Sequence, residues 1–235
     1  MGVDTMALLH RETHHMTATS LQIDFVSDVS CPWCAIGLQS LQQALARLPA
    51  DWSVALQFQP FELNGQLPSE GVDIVEYLQG KYGMAPAQIE QNQAAIAERG
   101  EKLGFHFAME QRRRIYNTFD AHRLLHWAHE VGGPTAQKAL KQALFSAYFS
   151  QGRNPSDRTE LEALAQEVGL SAEEARRVLE SGAYTDEVRE QQAHYQALGI
   201  QSVPSVIVNG RHLIQGGQPP EVFERALREI AAGRV

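Results

Sequence analysis

Cys31 and Cys34 are the only cysteines in a chain of 235 residues, and Pro32 and Trp33 alone separate them. A pair at this spacing can cycle between dithiol and disulfide if one thiol is ionised enough to attack and the other lies within bonding reach. The flanking residues supply both conditions. An apolar run over Leu21–Val26 reads as a strand, and Ala35, Ile36, Leu38, Leu41 and Leu45 follow with helical spacing. Cys31 then falls at a helix N-terminus, where unpaired N–H groups and the positive end of the helix dipole favour a thiolate. Pro32 suits the first helical position, since its fixed φ is helix-compatible and its missing N–H would have no partner there. Cys34 lies one turn in, on the same face and within disulfide reach. Cys31 is accordingly read as the attacking thiolate and Cys34 as the buried resolving thiol. Three blander readings stand beside this one. Structural zinc needs about four ligands, a structural disulfide over so short a loop adds little stability, and two cysteines can simply fill a core. Motif, strand-to-helix junction and proline together favour redox chemistry, with no metal expected.

The rest of the chain must position that pair. A helix over residues 34–48 ends at Pro49, and Trp52–Phe58 alternates as a second strand, which gives a right-handed β-α-β unit with parallel strands. From Asp73 to Tyr184 the sequence carries helical signals and no convincing strand. Asp73 caps Ile74–Lys81, Pro86 opens a helix to about Leu103, and Asn117 caps one that stops at Gly132-Gly133-Pro134. Residues 135–150 form the next helix. Ser156 or Asp157 caps another up to Gly169, and Ser171-Ala172-Glu173-Glu174 is a capping box for a short one that ends near Gly182. Thr185–Leu198 closes the run. Strand signals return over Val203–Val208, Asn209-Gly210 is a two-residue hairpin turn, and Arg211–Ile214 is the returning strand. Pro219-Pro220 opens a last helix. The expected organisation is a disordered head over residues 1–20, one domain formed by 21–69 with 185–235, and a helical insertion over 70–184.

Composition bounds the function. A hydrophobic fraction of 43% and a charged fraction of 20% are those of a globular protein, and a net charge of −8 argues against a nucleic-acid partner. No apolar run approaches a membrane span, and Met6-Ala7-Leu8-Leu9 is too short for a signal peptide, with Met16 a second candidate start. The expected compartment is the cytoplasm, where a lone exposed disulfide is catalytic more often than structural.

The order β-α-β, helical insertion, β-β-α, with Cys-x-x-Cys after the first strand and Val203-Pro204 before the third, resembles an α/β thioredoxin fold of the DsbA type. Asp24-Phe25-Val26-Ser27-Asp28, the cysteine motif, Asn117-Thr118 with Ala121-His122-Arg123, and Val203-Pro204-Ser205 are similar to the cytoplasmic FrnE-like branch. That resemblance implies a thiol–disulfide oxidoreductase whose only cofactor is its own Cys31–Cys34 disulfide, with thiol or disulfide substrates and glutathione as a possible co-substrate. It implies that Val203-Pro204 is a cis peptide beside the pair, that Val203 offers backbone groups to a substrate strand, and that Pro32, Trp33 and Pro204 border the substrate. Gly216 and Gly217 would lie near Cys31 and leave room for substrate backbone. Such enzymes often place an acid six residues before the first cysteine to take the proton of the second. Phe25 stands there, Asp24 should face away, and Asp28 or a water is left for the task.

Other groups have plainer readings. His122, His126 and His129 share one helix face, expected to be a mixed surface or groove face, with His122 a second-tier site residue. Asn117 is a cap, and second-tier in the same sense. Arg112-Arg113-Arg114 reads as a solvated run. The insertion, which holds no cysteine, is expected to choose the substrate and leave the redox potential alone; an intermediate potential is expected, because Trp33 brings no cation to the pair. Two alternatives remain at this point. Resemblance to kappa glutathione transferases and 2-hydroxychromene-2-carboxylate isomerases would imply glutathione chemistry on a small aromatic molecule, although those enzymes typically use a serine and lack the pair. A non-enzymatic partner-binding protein is the other.

Overall fold

A computed structural model describes residues 19–235 of the chain. The expectation for the N-terminal head falls on residues outside this range, except that Ser20 already opens the first strand. In chain order the elements are β1 (Ser20–Ser27), α1 (Pro32–Leu45), β2 (Ser53–Pro60), β3 (Val72–Asp73), α2 (Ile74–Tyr82) and α3 (Pro86–Lys102). There follow β4 (Arg114–Ile115), α4 (Phe119–Gln151), α5 (Arg158–Glu167), α6 (Ala172–Ser181), α7 (Thr185–Ala197), β5 (Ser205–Val208), β6 (His212–Gln215) and α8 (Pro220–Ala231).

The main sheet has the order β2-β1-β5-β6. β1 and β2 run parallel, with Phe25 opposite Phe58, and β5 is antiparallel to both β1 and β6. This is the expected thioredoxin arrangement, with a large helical segment between β2 and β5. The β5–β6 hairpin turns at Asn209 and Gly210, both at positive φ (53° and 64°), as a two-residue turn with matching twist requires. One apolar core joins the sheet to the inserted helices. Phe25 and Ile23 of β1, Leu38 and Leu41 of α1 and Phe223 of α8 share it with Phe107, Phe145 and Phe149, and both cysteines lie in it. A second core, around Leu124, Trp127, Leu144, Leu164 and Leu179, holds α4 to α5 and α6.

Two sequence expectations need correction, and a third holds. Val72–Asp73 and Arg114–Ile115 pair as a short antiparallel ladder inside the helical segment, which was expected to lack strands. Two-residue strands carry no periodicity for a sequence to display. The N-cap of α4 is Thr118, and Asn117 sits one residue earlier, where its Oδ1 accepts from Phe119 N–H at 2.9 Å and its Nδ2 donates to Gly65 O at 2.9 Å. The break expected at Gly132-Gly133-Pro134 is present: α4 consists of two helical stretches that meet at a kink, where Gly133 is non-helical (φ 65°, ψ −165°).

The second half of α4 is fastened to β2 by a side chain. Gln137 is buried, its Oε1 accepts from Phe58 N–H at 2.9 Å, and its Nε2 donates to Phe58 O at 3.0 Å. This contact fixes the register of the buried face of α4 against the sheet, and the active-site floor depends on it.

Candidate active site

Cys31 is the N-cap of α1, in extended conformation (φ −91°, ψ 113°), and Pro32 is the first helical residue. The turn from Asp28 leads straight into it, with Cys31 N–H reaching Asp28 O at 3.3 Å. Both cysteines are free thiols and both are buried, Cys31 at 4% exposure and Cys34 at 0%. Their ionisation is split in opposite directions. The Cys34 S–H donates to the Cys31 thiolate and, with the Cys34 and Trp33 amides, holds Cys31 below the ordinary thiol range against the opposing effects of burial and the Asp28 charge. Burial pushes Cys34 well up, and the neighbouring Cys31 charge adds to this. Cys31 is thus the more readily ionised of the two thiols and Cys34 the less.

The residues around Cys31 come from three parts of the chain. Val203 O lies 3.6 Å from Cys31 Sγ, and the Val203–Pro204 peptide is cis. Trp33 is 40% exposed and lies under the Arg99 guanidinium of α3, 5.6 Å from ring centroid to Cζ. Arg99 also donates to Gly217 O at 2.6 Å. Gly216 N–H donates to Pro204 O at 2.8 Å. Gly217 does not leave room for a substrate backbone. A Cβ there would stand 2.9 Å from Trp33 O, so the space is used by α1 itself, and Gly37 is needed likewise because its Cβ would meet Pro204 Cγ at 2.9 Å. Asn117 is held by Gly65 and Phe119, away from the pair.

In front of Cys31 opens a cavity of about 420 Å³, walled by Pro32 and Trp33 and by Tyr77, Tyr82, Met84 and Ile89 of α2, α3 and the link between them. Ser30 and Arg112 also line it, and each carries a buried polar atom without a protein partner, Ser30 Oγ and Arg112 Nε. Arg112 is therefore not part of a solvated run. It is 7% exposed, donates to Ser30 O at 3.1 Å and lies over the rings of Tyr148 and Phe149.

Beneath the pair the surroundings are polar. Asp28 is fully buried and accepts from Ser30 N–H (3.0 Å), Leu63 N–H (2.8 Å) and Thr118 Oγ–H (2.8 Å). Burial alone would raise its carboxyl, but His122 and these amides outweigh that and hold it below the usual range. His122, expected on a surface or groove face, is 2% exposed with Nε2 at 3.8 Å from Asp28 Oδ1, an ion-pair distance too long for a hydrogen bond. His126 and His129 line one cavity with it, although each also has a contact of its own: His126 lies against the Tyr184 ring and His129 Nε2 meets Gln57 Nε2 at 2.7 Å. Among the described residues no three His, Cys, Asp or Glu side chains converge as a metal site would need.

Sequence reasoning missed Lys141. It is completely buried in α4. Burial pulls its ammonium down to about 8, partly opposed by the negative charges of Cys34, Asp28 and Cys31. The signal was its register: Gln137, Leu140, Lys141, Leu144 and Tyr148 recur at helical spacing and all are buried, so the lysine sits in an apolar stripe. Its presence corrects the expectation that the insertion stays out of the thiols' electrostatics.

The chain is similar to several known proteins. A probable DsbA oxidoreductase of Streptomyces coelicolor is 32% identical, superposes with a TM-score of 0.84, and the match covers 92% of this chain and 91% of that one. The uncharacterised protein YwbO of Bacillus subtilis is 28% identical over 211 residues, 89% of this chain and 97% of that protein. The cytosolic disulfide reductase DsbM of Pseudomonas aeruginosa, solved with GSH, shares the fold at 17% identity and a TM-score of 0.61, over 90% of this chain and 99% of its own. Residues 22–228 match the DSBA-like thioredoxin domain family. With that match over most of its length, and a reactive Cys31 set against a buried Cys34 at the head of α1, the chain belongs to the DSBA-like thioredoxin domain family.

Proposed function

We propose that this protein is a thiol–disulfide oxidoreductase of the FrnE-like branch, working through the Cys31-Pro32-Trp33-Cys34 pair. The observation that carries this reading is the asymmetry of the two thiols. Cys31 caps α1 at the mouth of a cavity, while Cys34 has no exposure at all. Cys31 thiolate attacks a substrate disulfide and forms a mixed disulfide. Cys34 then attacks Cys31 Sγ, the substrate thiolate leaves, and the substrate has gained two electrons while the pair has become a disulfide. In the opposite direction a substrate thiolate attacks Cys31 of the oxidised pair. The disulfide is the only cofactor this scheme requires. Pro32, Trp33, Val203 and Pro204 border the sulfur on which the substrate arrives.

The cavity favours a particular substrate. Its volume falls within the range of small-molecule sites, its walls are aromatic and aliphatic, and Ser30 Oγ and Arg112 Nε offer hydrogen bonds at its inner side. A disulfide carrying an apolar or aromatic group and a hydrogen-bond acceptor fits this description, and glutathione is the thiol proposed to reset the pair. No helix among the described residues is long and apolar enough to cross a membrane. A cytoplasmic setting, where glutathione is abundant, is part of the same proposal.

The test is to react wild-type, Cys31→Ser and Cys34→Ser proteins with glutathione disulfide and with a small aromatic disulfide. Cys31→Ser should lose exchange by about three orders of magnitude or more, since a hydroxyl is not ionised in this range. Cys34→Ser should accumulate a mixed disulfide on Cys31. A Cys31→Ser protein that still turned over an aromatic substrate with glutathione would reject the redox reading in favour of transferase or isomerase chemistry.

A further inference from the structure

Three buried nitrogen atoms find no hydrogen-bond partner in the protein: Lys141 Nζ, His122 Nε2 and His129 Nδ1. All three residues line one cavity of about 130 Å³, which shares no lining residue with the cavity before Cys31. A water's share of liquid volume is about 30 Å³, so a short chain of waters has room there, beside the residues that carry the orphan nitrogens. His126 and Glu130 line the same cavity, and Glu130 is exposed, so the cavity connects the buried lysine with solvent.

The resolving step needs a base. Cys34 is a buried thiol pushed well above the ordinary range, and it must lose its proton before it can attack. Asp28 is poorly suited. Both its oxygens are occupied by donors, and its carboxyl is held below the usual range, despite its burial, by His122 and backbone amides. Lys141 has the complementary properties. Its Nζ is uncommitted except for the Phe145 ring at 4.9 Å, and burial favours its neutral amine.

We propose that Lys141 accepts the proton of Cys34 during resolution, directly or through one water of the cavity, and that the histidine-lined cavity returns this proton to solvent. The proposal rests on the redox reading above. In the mixed disulfide Cys31 Sγ is bonded to substrate and carries no charge, which removes one of the negative neighbours that keep Lys141 protonated. The amine is thus released as a base at the stage that calls for one. Cys34 S–H gives its proton to Lys141 Nζ, and the Cys34 thiolate forms beside the new ammonium. The thiolate attacks Cys31 Sγ, the Cys31–substrate S–S bond breaks, and the substrate departs as thiolate with the electron pair. Lys141 then releases its proton into the cavity. In the reverse direction the ammonium protonates Cys34 as it leaves. The titratable groups that face Lys141 are Cys31, Cys34 and Asp28 on one side and His122, His126, His129 and Glu130 around the cavity.

Reaction with 5,5′-dithiobis(2-nitrobenzoate) separates the two steps, because one thionitrobenzoate leaves when Cys31 attacks and a second when Cys34 resolves. In Lys141→Met the second release should slow roughly 10- to 100-fold near pH 7, the range of a lost general base. The first should change by less than about threefold, and hydroxide should close the gap towards about pH 10. Lys141→Gln keeps a polar group without a base and should show the same pattern. In Lys141→Ala, added primary amines should restore the second release. An unchanged second step, or equal slowing of both steps with the pH profile unmoved and no rescue by amines, would overturn the proposal. Absence of the first release in wild type would instead reject the redox reading itself.

Discussion

Two cavities of the protein differ in kind. The one before Cys31 is about 420 Å³ and walled by Trp33, Tyr77, Tyr82, Met84 and Ile89. The other is about 130 Å³ and bordered by three histidines, Glu130 and Lys141, the buried lysine whose charge interacts with both thiols. The first offers apolar area, which selects by shape and desolvation and is indifferent to pH. The second mixes titratable groups with the apolar side chains of Phe58, Pro60 and Leu125. On the reading proposed above, substrate selection and proton handling fall to different cavities, and α4 lines only the second.

That separation can be broken at its strongest point first. Lys141 is fully buried and its ammonium is pulled from 10.5 to about 8 by burial, so protonation of the folded protein near neutral pH costs about 3 kcal/mol relative to the unfolded chain. Between these two values the unfolded chain binds the proton that the folded one has lost, so stability rises with pH through this window and the penalty is gone above it. Lys141→Met should raise the free energy of unfolding near pH 7 by up to about 3 kcal/mol, with the advantage fading from about pH 8 to 10.5. Denaturant titrations at several pH values check this. A variant both more stable and slower to resolve would show that the buried amine is retained for chemistry.

A smaller effect is expected at Asp28. Asn cannot accept three donors as the carboxylate does, so Asp28→Asn should lose about 1–3 kcal/mol by leaving a backbone amide of Ser30 or Leu63 unpaired. The negative charge of Asp28 raises Cys31, so its removal should move the Cys31 titration lower, which thiolate absorbance against pH would register. A Cys31 midpoint that rose would place the control of the nucleophile elsewhere than in this polar floor. The smallest effect belongs to the apolar side. Tyr82 is 56% exposed and lines the substrate cavity, so Tyr82→Ala should leave stability nearly unchanged. It should reduce turnover of an aromatic disulfide by about 1 kcal/mol, roughly fivefold, while a small aliphatic disulfide is unaffected. Equal loss for both substrates would mean that the cavity does not discriminate.

What a sequence makes legible here depends on whether the signal is local. The strand-to-helix placement of Cys31, the Asn209-Gly210 turn and the Ser171 cap are contained within a few residues, and each forms as read; Ser171 Oγ accepts from Glu174 N–H at 3.2 Å. The opposite ionisation of the two cysteines, both of them buried, accompanies a separation of one helical turn. Lys141, His122 and Arg112 were misread or passed over because their burial is decided by distant partners. Arg112 is drawn inward by Ser30, Tyr148 and Phe149, and His122 by Asp28. Hydrophobic patterning assigns a charged residue to solvent by default. The lysine in the apolar stripe of α4 was the one exception that the pattern itself displayed. The insertion also reaches the charges around the thiols, since α4 supplies both Lys141 and His122.

The Gln137 clamp has a consequence for association. β2 is an edge of the main sheet, and an unpaired edge is a template for any extended chain that comes near. Gln137 occupies both the N–H and the C=O of Phe58, in the middle of that strand, with the geometry a neighbouring strand would have used. With the centre of β2 blocked by one amide side chain, the sheet can accept an added strand only elsewhere, and the exposed edge is withdrawn from pairing between copies of the protein.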